Sequence, residues 1–146
     1  MLNRLSVFLL IALFLFSCDK EKSALKKING QWEITSYKRT ESNGLSFFAT
    51  VSGNMTFSEV DQYKSPSIFN TNISYSFDTD NGTIQENGSV EMIEKGDFMN
   101  VIKLDASNNP TDTIKYRIMT CTNTDLQLEY SDSIGRVNNL IFKKKK

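Results

Sequence analysis

The chain contains no histidine, and that single absence removes most of the chemistry a 146-residue protein could carry. Without an imidazole there is no Ser-His-Asp triad, no Cys-His dyad, no common zinc set and no haem ligation by histidine. Two cysteines remain, Cys18 and Cys121. Cys121 closes the strand-like run Ile118-Met119-Thr120-Cys121 and lacks a base to activate it, so it reads as a small core or half-buried residue. Two carboxylate pairs, Glu91 with Glu94 and Asp78 with Asp80, are close enough in sequence to consider for acid/base work on glycosides. They fall at turns or on outward faces, and nothing around them raises a carboxyl pKa. Asp78-Thr79-Asp80-Asn81-Gly82 opens like a calcium loop, but Ser89 stands at the twelfth position where an acidic ligand is required, so turn chemistry is the reading. The expectation is a protein that is not an enzyme and holds neither cofactor nor metal.

The thiol of Cys18 has another use. Met1-Leu2-Asn3-Arg4 carries one positive charge, and an apolar run from Leu5 to Phe16 follows. At about a dozen residues that run is too short to span a bilayer and matches the apolar centre of a secretory signal. It ends in Leu15-Phe16-Ser17-Cys18, which resembles the lipobox of bacterial lipoproteins. The resemblance implies cleavage before Cys18, diacylation of its thiol and a third, palmitate-type chain on the new amino group. Two or more acyl chains hold a protein firmly to a membrane. Residues 1–17 are therefore expected to be a signal peptide. The mature chain is expected to be lipid-anchored at the outer membrane, on its periplasmic face or the cell surface. Asp19-Lys20-Glu21-Lys22 matches in part the acidic run of surface-displayed lipoproteins in Bacteroidota. With Cys18 occupied, Cys121 has no partner for an intrachain disulfide.

Charge is balanced, with 17 Lys and Arg against 17 Asp and Glu. The basic residues form no stripe of the kind nucleic-acid binding needs, so no nucleic-acid partner is expected. Lys143 to Lys146 make a basic end that reads as solvated, with a weak capacity for anionic lipid head groups.

From Trp32 onward the apolar residues repeat every second position. Trp32, Ile34 and Ser36 form one row; Met55, Phe57 and Glu59 another; Ile73, Tyr75 and Phe77 a third. Ile114, Tyr116 and Ile118, and Leu126, Leu128 and Tyr130, continue the pattern. One apolar face per strand is the mark of an antiparallel sheet packed on one side. Asp80-Asn81-Gly82 and Glu86-Asn87-Gly88 both offer Asn-Gly hairpin turns, and being six residues apart they are expected to form one turn and one bulge or wider loop. Further reversals are expected at Lys95-Gly96-Asp97, Asn108-Asn109-Pro110 and Ser133-Ile134-Gly135. The expected strands lie near 31–39, 45–51, 54–60, 68–78, 82–86, 89–95, 98–105, 112–121, 125–131 and 136–143, some of them merging. The fold class is all-β, a single antiparallel up-and-down barrel of about eight or nine strands, with a β-sandwich as runner-up. The expected divisions are a signal at 1–17, a lipidated tether at 18–28 with one helical turn at Ser23 to Lys27, the barrel at 29–143 and a basic tail at 144–146.

Leu25 to Ile34 carries Gly30-x-Trp32 directly after that helical turn. It resembles the first motif of the lipocalins and their bacterial lipocalin-like relatives. Met55-Thr56-Phe57, the strands from Tyr116 to Leu128 and the Phe142-Lys143-Lys144 ending are similar to the lipocalin-like lipoprotein domains of Bacteroidota. The resemblance implies that Trp32 plugs one end of the barrel. Lipocalins stack an arginine across this Trp, and here Lys143 is the nearest cation to that place.

A barrel of eight strands either fills its interior with side chains or holds one small ligand. The inward set is expected to be Trp32, Phe57, Tyr75, Phe77, Phe98, Tyr116, Ile118 and Leu128. Tyr75, Phe77, Tyr116 and Tyr130 are the candidate contacts for a small apolar ligand. The alternative is a filled core serving a protein partner in the envelope, as an inhibitor or complex subunit. Asp112-Thr113-Ile114 and Asp132-Ser133-Ile134 resemble the acceptor tripeptide of Bacteroidota O-glycosylation, which makes Thr113 and Ser133 candidate modification sites.

Overall fold

The computed structural model describes residues 18–49, 51–65, 68–79 and 82–146, without the side chains of 18–22, 59–65, 68–77, 79 and 82. Residues 1–17 and the Cys18 side chain therefore lie outside the described residues.

The first element is a helix, α1 (Cys18–Ile28), longer than the single turn expected. Its stretch has no Gly, no Pro and no β-branched residue before Ile28, and Lys, Glu, Ala and Leu favour a helix. Leu25 and Ile28, three residues apart on one face, are fully buried. The end of the segment read as a tether is thus a packed plug.

Among the described residues nine strands follow: β1 (Gly30–Thr40), β2 (Ser46–Ala49), β3 (Val51–Ser65), β4 (Ile68–Thr79), β5 (Gly82–Ile93), β6 (Phe98–Leu104), β7 (Pro110–Cys121), β8 (Asp125–Ser131) and β9 (Val137–Lys144). From β3 to β9 each strand pairs antiparallel with the next, and β9 returns to pair with β1 from Trp32 to Thr40. The other edge of β1 is shared by β3 near Gly30–Glu33 and by β2 near Tyr37–Thr40. Pairing of the first and last long strands makes this an up-and-down barrel rather than a sandwich of two sheets.

Of the two Asn-Gly signals, the first lies at the β4–β5 hairpin, where Thr79 faces Gly82. The second, Asn87-Gly88, forms no turn and runs straight through β5, with Gly88 buried opposite Lys103. A 3-10 turn at Glu94–Gly96 links β5 to β6. The β8–β9 turn closes through Gly135 N to Asp132 O at 3.0 Å.

The alternating rows supply the interior: Trp32 and Ile34, Met55 and Phe57, Val90 and Met92, Met99 and Val101, Leu126 and Leu128, Leu140 and Phe142. Phe98 departs from expectation. Its neighbours Met99 and Val101 take the inward positions of β6, and Phe98 lies on the other face with Lys115 Nζ 4.4 Å above its ring. A bulge in the β1–β9 pairing between Ile34 and Ser36 makes a second departure. One extra residue reverses the phase of a strand, so Tyr37 rather than Ser36 packs against the core.

At the plugged end Trp32 is wholly buried and its Nε1 donates to Ile28 O at 2.6 Å, which satisfies a carbonyl at the end of α1. The cation over the indole is Lys144, 5.0 Å from the ring centroid, and not Lys143. The register explains the correction. Lys144 sits opposite Trp32, whereas Lys143 faces outward and pairs with Asp125. Lys144 Nζ also donates to Lys27 O at 2.9 Å, stitching strand to helix.

Gly30 makes this corner with φ +118°, and a Cβ there would lie 3.0 Å from Lys144 Cε. Gly30→Ala is expected to lower stability by about 1–3 kcal/mol through backbone strain, seen as a lower urea midpoint. An unchanged midpoint would mean the corner relaxes freely.

Candidate functional site

The apolar interior gives way to polar groups at the end opposite Trp32. Three tyrosines, one each from β1, β7 and β8, meet there with Asn138 of β9. Tyr116 is 6% exposed and packs edge-on against Tyr130, with ring centroids 5.0 Å apart at 63°. Tyr37 Oη donates to Asn138 Oδ1 at 2.6 Å. Tyr130 stands beside Tyr37, and Asn138 Nδ2 donates to Arg136 O at 3.3 Å. Asn138 is the buried polar residue of the described core, 2% exposed, and its bonds account for its tolerance there.

Burial governs the acidity of this cluster. It pushes Tyr130 up to about 12, helped by the neighbouring Tyr37 and Asp132. It pushes Tyr116 higher still, with Tyr130, Glu86 and Tyr37 adding to the effect. Tyr37 is raised by burial too, against the opposing pull of Arg39 and Arg136. All three are neutral donors at physiological pH.

Three ion pairs are described at the rim. Arg39 Nε lies 2.8 Å from Glu41, Lys103 Nζ 2.9 Å from Glu86, and Arg136 Nε 2.6 Å from Asp132. Asp132 also accepts from the amides of Ile134 and Arg136, so it builds the β8–β9 turn. A cavity of about 450 Å³ opens at this rim between β5 and the loop after β6, lined by Glu86, Lys103, Asp105 and Thr111 among others. Its walls mix polar and apolar groups and carry no aromatic ring, unlike the aromatic lining expected for a ligand chamber. A second cavity, about 270 Å³, lies between α1 and β7 beside Ser23, Lys27 and Cys121. Cys121 is half-buried there, and burial pushes its thiol up, which makes it a poor nucleophile.

Among the sequence candidates, Tyr116 and Tyr130 come together. Tyr75 and Phe77 sit in β4 opposite Met55 and Gly53 in the register, and their side chains lie outside the described residues. Tyr37 and Asn138 were missed. The bulge hid Tyr37; Asn138 was legible as the first member of the row Asn138, Leu140, Phe142. The described carboxylates take other partners: Glu91 accepts from Asn100 Nδ2 at 3.2 Å, Glu94 pairs with Lys115 at 2.6 Å, and Asp78 accepts from Thr83 Oγ1 at 2.7 Å. Asp80 is outside the described residues. Among the described residues no group of His, Cys, Asp and Glu is arranged to hold a metal. Thr113 is exposed on β7 and Ser133 is exposed in the β8–β9 turn.

No protein-family model and no curated protein matches the chain. Solved structures do. A designed fluorescence-activating β-barrel is 14% identical, with a TM-score of 0.52 over 84% of this chain and 97% of that one. A redesigned β-barrel bound to DFHBI is 15% identical, with a TM-score of 0.51 over 83% and 98%. The S-type phycobiliprotein lyase CPES of Guillardia theta is 10% identical, with a TM-score of 0.51 over 86% and 92%. At these identities the likeness establishes architecture: the chain is a lipocalin-like β-barrel, plugged at one end and polar at the other.

Proposed function

We propose that this protein is a non-enzymatic binding module, anchored at the outer membrane through acylated Cys18, that holds a small apolar ligand in its tyrosine-lined mouth. One observation carries the reading. A hydrogen-bonded pair, Tyr37 and Asn138, with the packed rings of Tyr116 and Tyr130 beside it, stands at the top of an otherwise apolar core. Ligand sites combine apolar walls with a few placed polar groups in this way. The redesigned barrel bound to DFHBI supports it as an example of similar architecture holding a small molecule.

A second observation favours a protein partner. On and beside β2, Leu45, Phe47 and Phe48 are 59%, 50% and 75% exposed, three large apolar side chains at the tip of the β1–β2 hairpin. Native mass spectrometry of the chain after gentle detergent extraction separates the readings. The expected result is a mature mass beginning at acylated Cys18 with a small molecule retained. A retained protein instead moves the function to the hairpin, and a mass without acyl groups removes the anchor.

A further inference from the structure

The basic run Lys143 to Lys146 reads from sequence as one solvated end, and the fold divides it. Lys143 pairs with Asp125, and Lys144 is committed to the Trp32 ring and to Lys27 O. Lys145 is tied down through its amide, which donates to Gln31 O at 2.8 Å. Its side chain and that of Lys146 are exposed. The bond from Lys144 to α1 sets them beside Lys26 and Lys27, which are exposed on the last turn of that helix. Two stretches far apart in the chain thus bring these lysines to the plugged end of the barrel.

Among the described residues Lys26, Lys27, Lys145 and Lys146 have no ion-pair partner. Glu94, a carboxylate of the neighbouring 3-10 turn, is taken by Lys115. As a whole α1 carries Lys20, Lys22, Lys26 and Lys27 against Asp19 and Glu21. The mouth has the opposite character. Arg39, Lys103 and Arg136 each lie within 3 Å of a carboxylate there, and Asp105 and Asp112 stand near the same rim. Clustered lysines repel one another, and a surface of negative charge relieves that repulsion.

The position of α1 selects the surface. The helix begins at Cys18 and has 11 residues, so it is about 16 Å long. Acyl chains on Cys18 would hold its lysines within one helix length of the head groups. Each lysine beside an anionic bilayer adds about five-fold in affinity. Resting on the anchor proposed at Cys18, we propose that the plugged end is a membrane-contact face. Lys26, Lys27, Lys145 and Lys146 take the phosphate head groups of anionic lipids, and the mouth is turned away from the bilayer.

For the test, the full chain extracted in detergent is reconstituted on vesicles of phosphatidylcholine alone and of equal parts phosphatidylcholine and phosphatidylglycerol. Lysines are acetylated with a water-soluble succinimidyl ester and scored by peptide mass spectrometry, with Lys38 and Lys103 at the mouth as references. Acetylation of Lys26, Lys27, Lys145 and Lys146 is expected to slow several-fold on the anionic vesicles alone. Salt at 1 M, where the Debye length is about 3 Å, should restore it. Equal rates on the two kinds of vesicle overturn this inference and leave the anchor in place. Equal slowing at Lys38 and Lys103 overturns it too, because no one face is then chosen. Slowing by a short DNA duplex and none by phosphatidylglycerol overturns the assignment to lipid. A chain that does not stay on phosphatidylcholine removes the anchor instead; the basic face then stands if phosphatidylglycerol vesicles still hold the chain, and falls if they do not.

Discussion

Replacing Trp32 with alanine is expected to lower the unfolding free energy by about 3–5 kcal/mol, the range for emptying a large buried aromatic site. The indole is wholly buried between α1 and the first turn of the barrel. Its removal takes three things at once: the apolar area, the 2.6 Å bond to Ile28 O, and the ring beneath Lys144. The helix would lose its main anchor and a carbonyl its partner. Trp32→Phe separates the effects, because it keeps most of the area while losing the indole N–H; its expected cost is about 1–2 kcal/mol. Urea unfolding followed by circular dichroism measures both, since Trp32 is the only tryptophan and its fluorescence disappears with it. A midpoint equal to wild type in the alanine variant would place the indole outside the core.

Raising the pH should unfold the barrel from the opposite end. The folded state raises the pKa of Tyr37, Tyr116 and Tyr130 above the ordinary value of 10.0, to about 12 for Tyr130. Below pH 10 both folded and unfolded chains hold these protons, and the stabilisation is fully present. Between that value and the folded pKa values the unfolded chain binds fewer protons than the folded one, so stability falls as pH rises. Each proton contributes a slope of about 1.4 kcal/mol per pH unit. The hydroxyls are linked, so the titration belongs to the cluster rather than to single rings. Near-ultraviolet tyrosinate absorbance at about pH 11 should show Tyr116 and Tyr130 still protonated in the folded chain and ionised once urea is added. Full ionisation of all five tyrosines before unfolding would mean the mouth is open to water.

Much of this architecture is legible in the amino-acid order because strand signals are local. Leu126 and Leu128, Met55 and Phe57, and Trp32 and Ile34 alternate with polar neighbours, and the structure buries each of them. The turn at Gly135 and the break before Pro110 are equally local, since they depend on what a few successive residues allow. Half of the tyrosine cluster at the mouth, Tyr116 and Tyr130, follows from the same rows.

Other features depend on partners far along the chain. Phe98 and Met99 are both apolar, and only the pairing of β6 with its neighbours decides that Met99 faces in. Lys143 and Lys144 are identical in type, and the register with β1 alone puts Lys144 over the indole. Tyr37 reaches the mouth because a bulge shifts the phase of β1, bringing it to an asparagine 101 residues away. The sequence by itself determined the all-β class, the approximate positions of the strands and part of the core, because alternation and turn preference are properties of neighbouring residues. The tertiary structure decided the mouth. A site made where β1, β7, β8 and β9 converge depends on register and on a single inserted residue, and neither leaves a mark within any one strand.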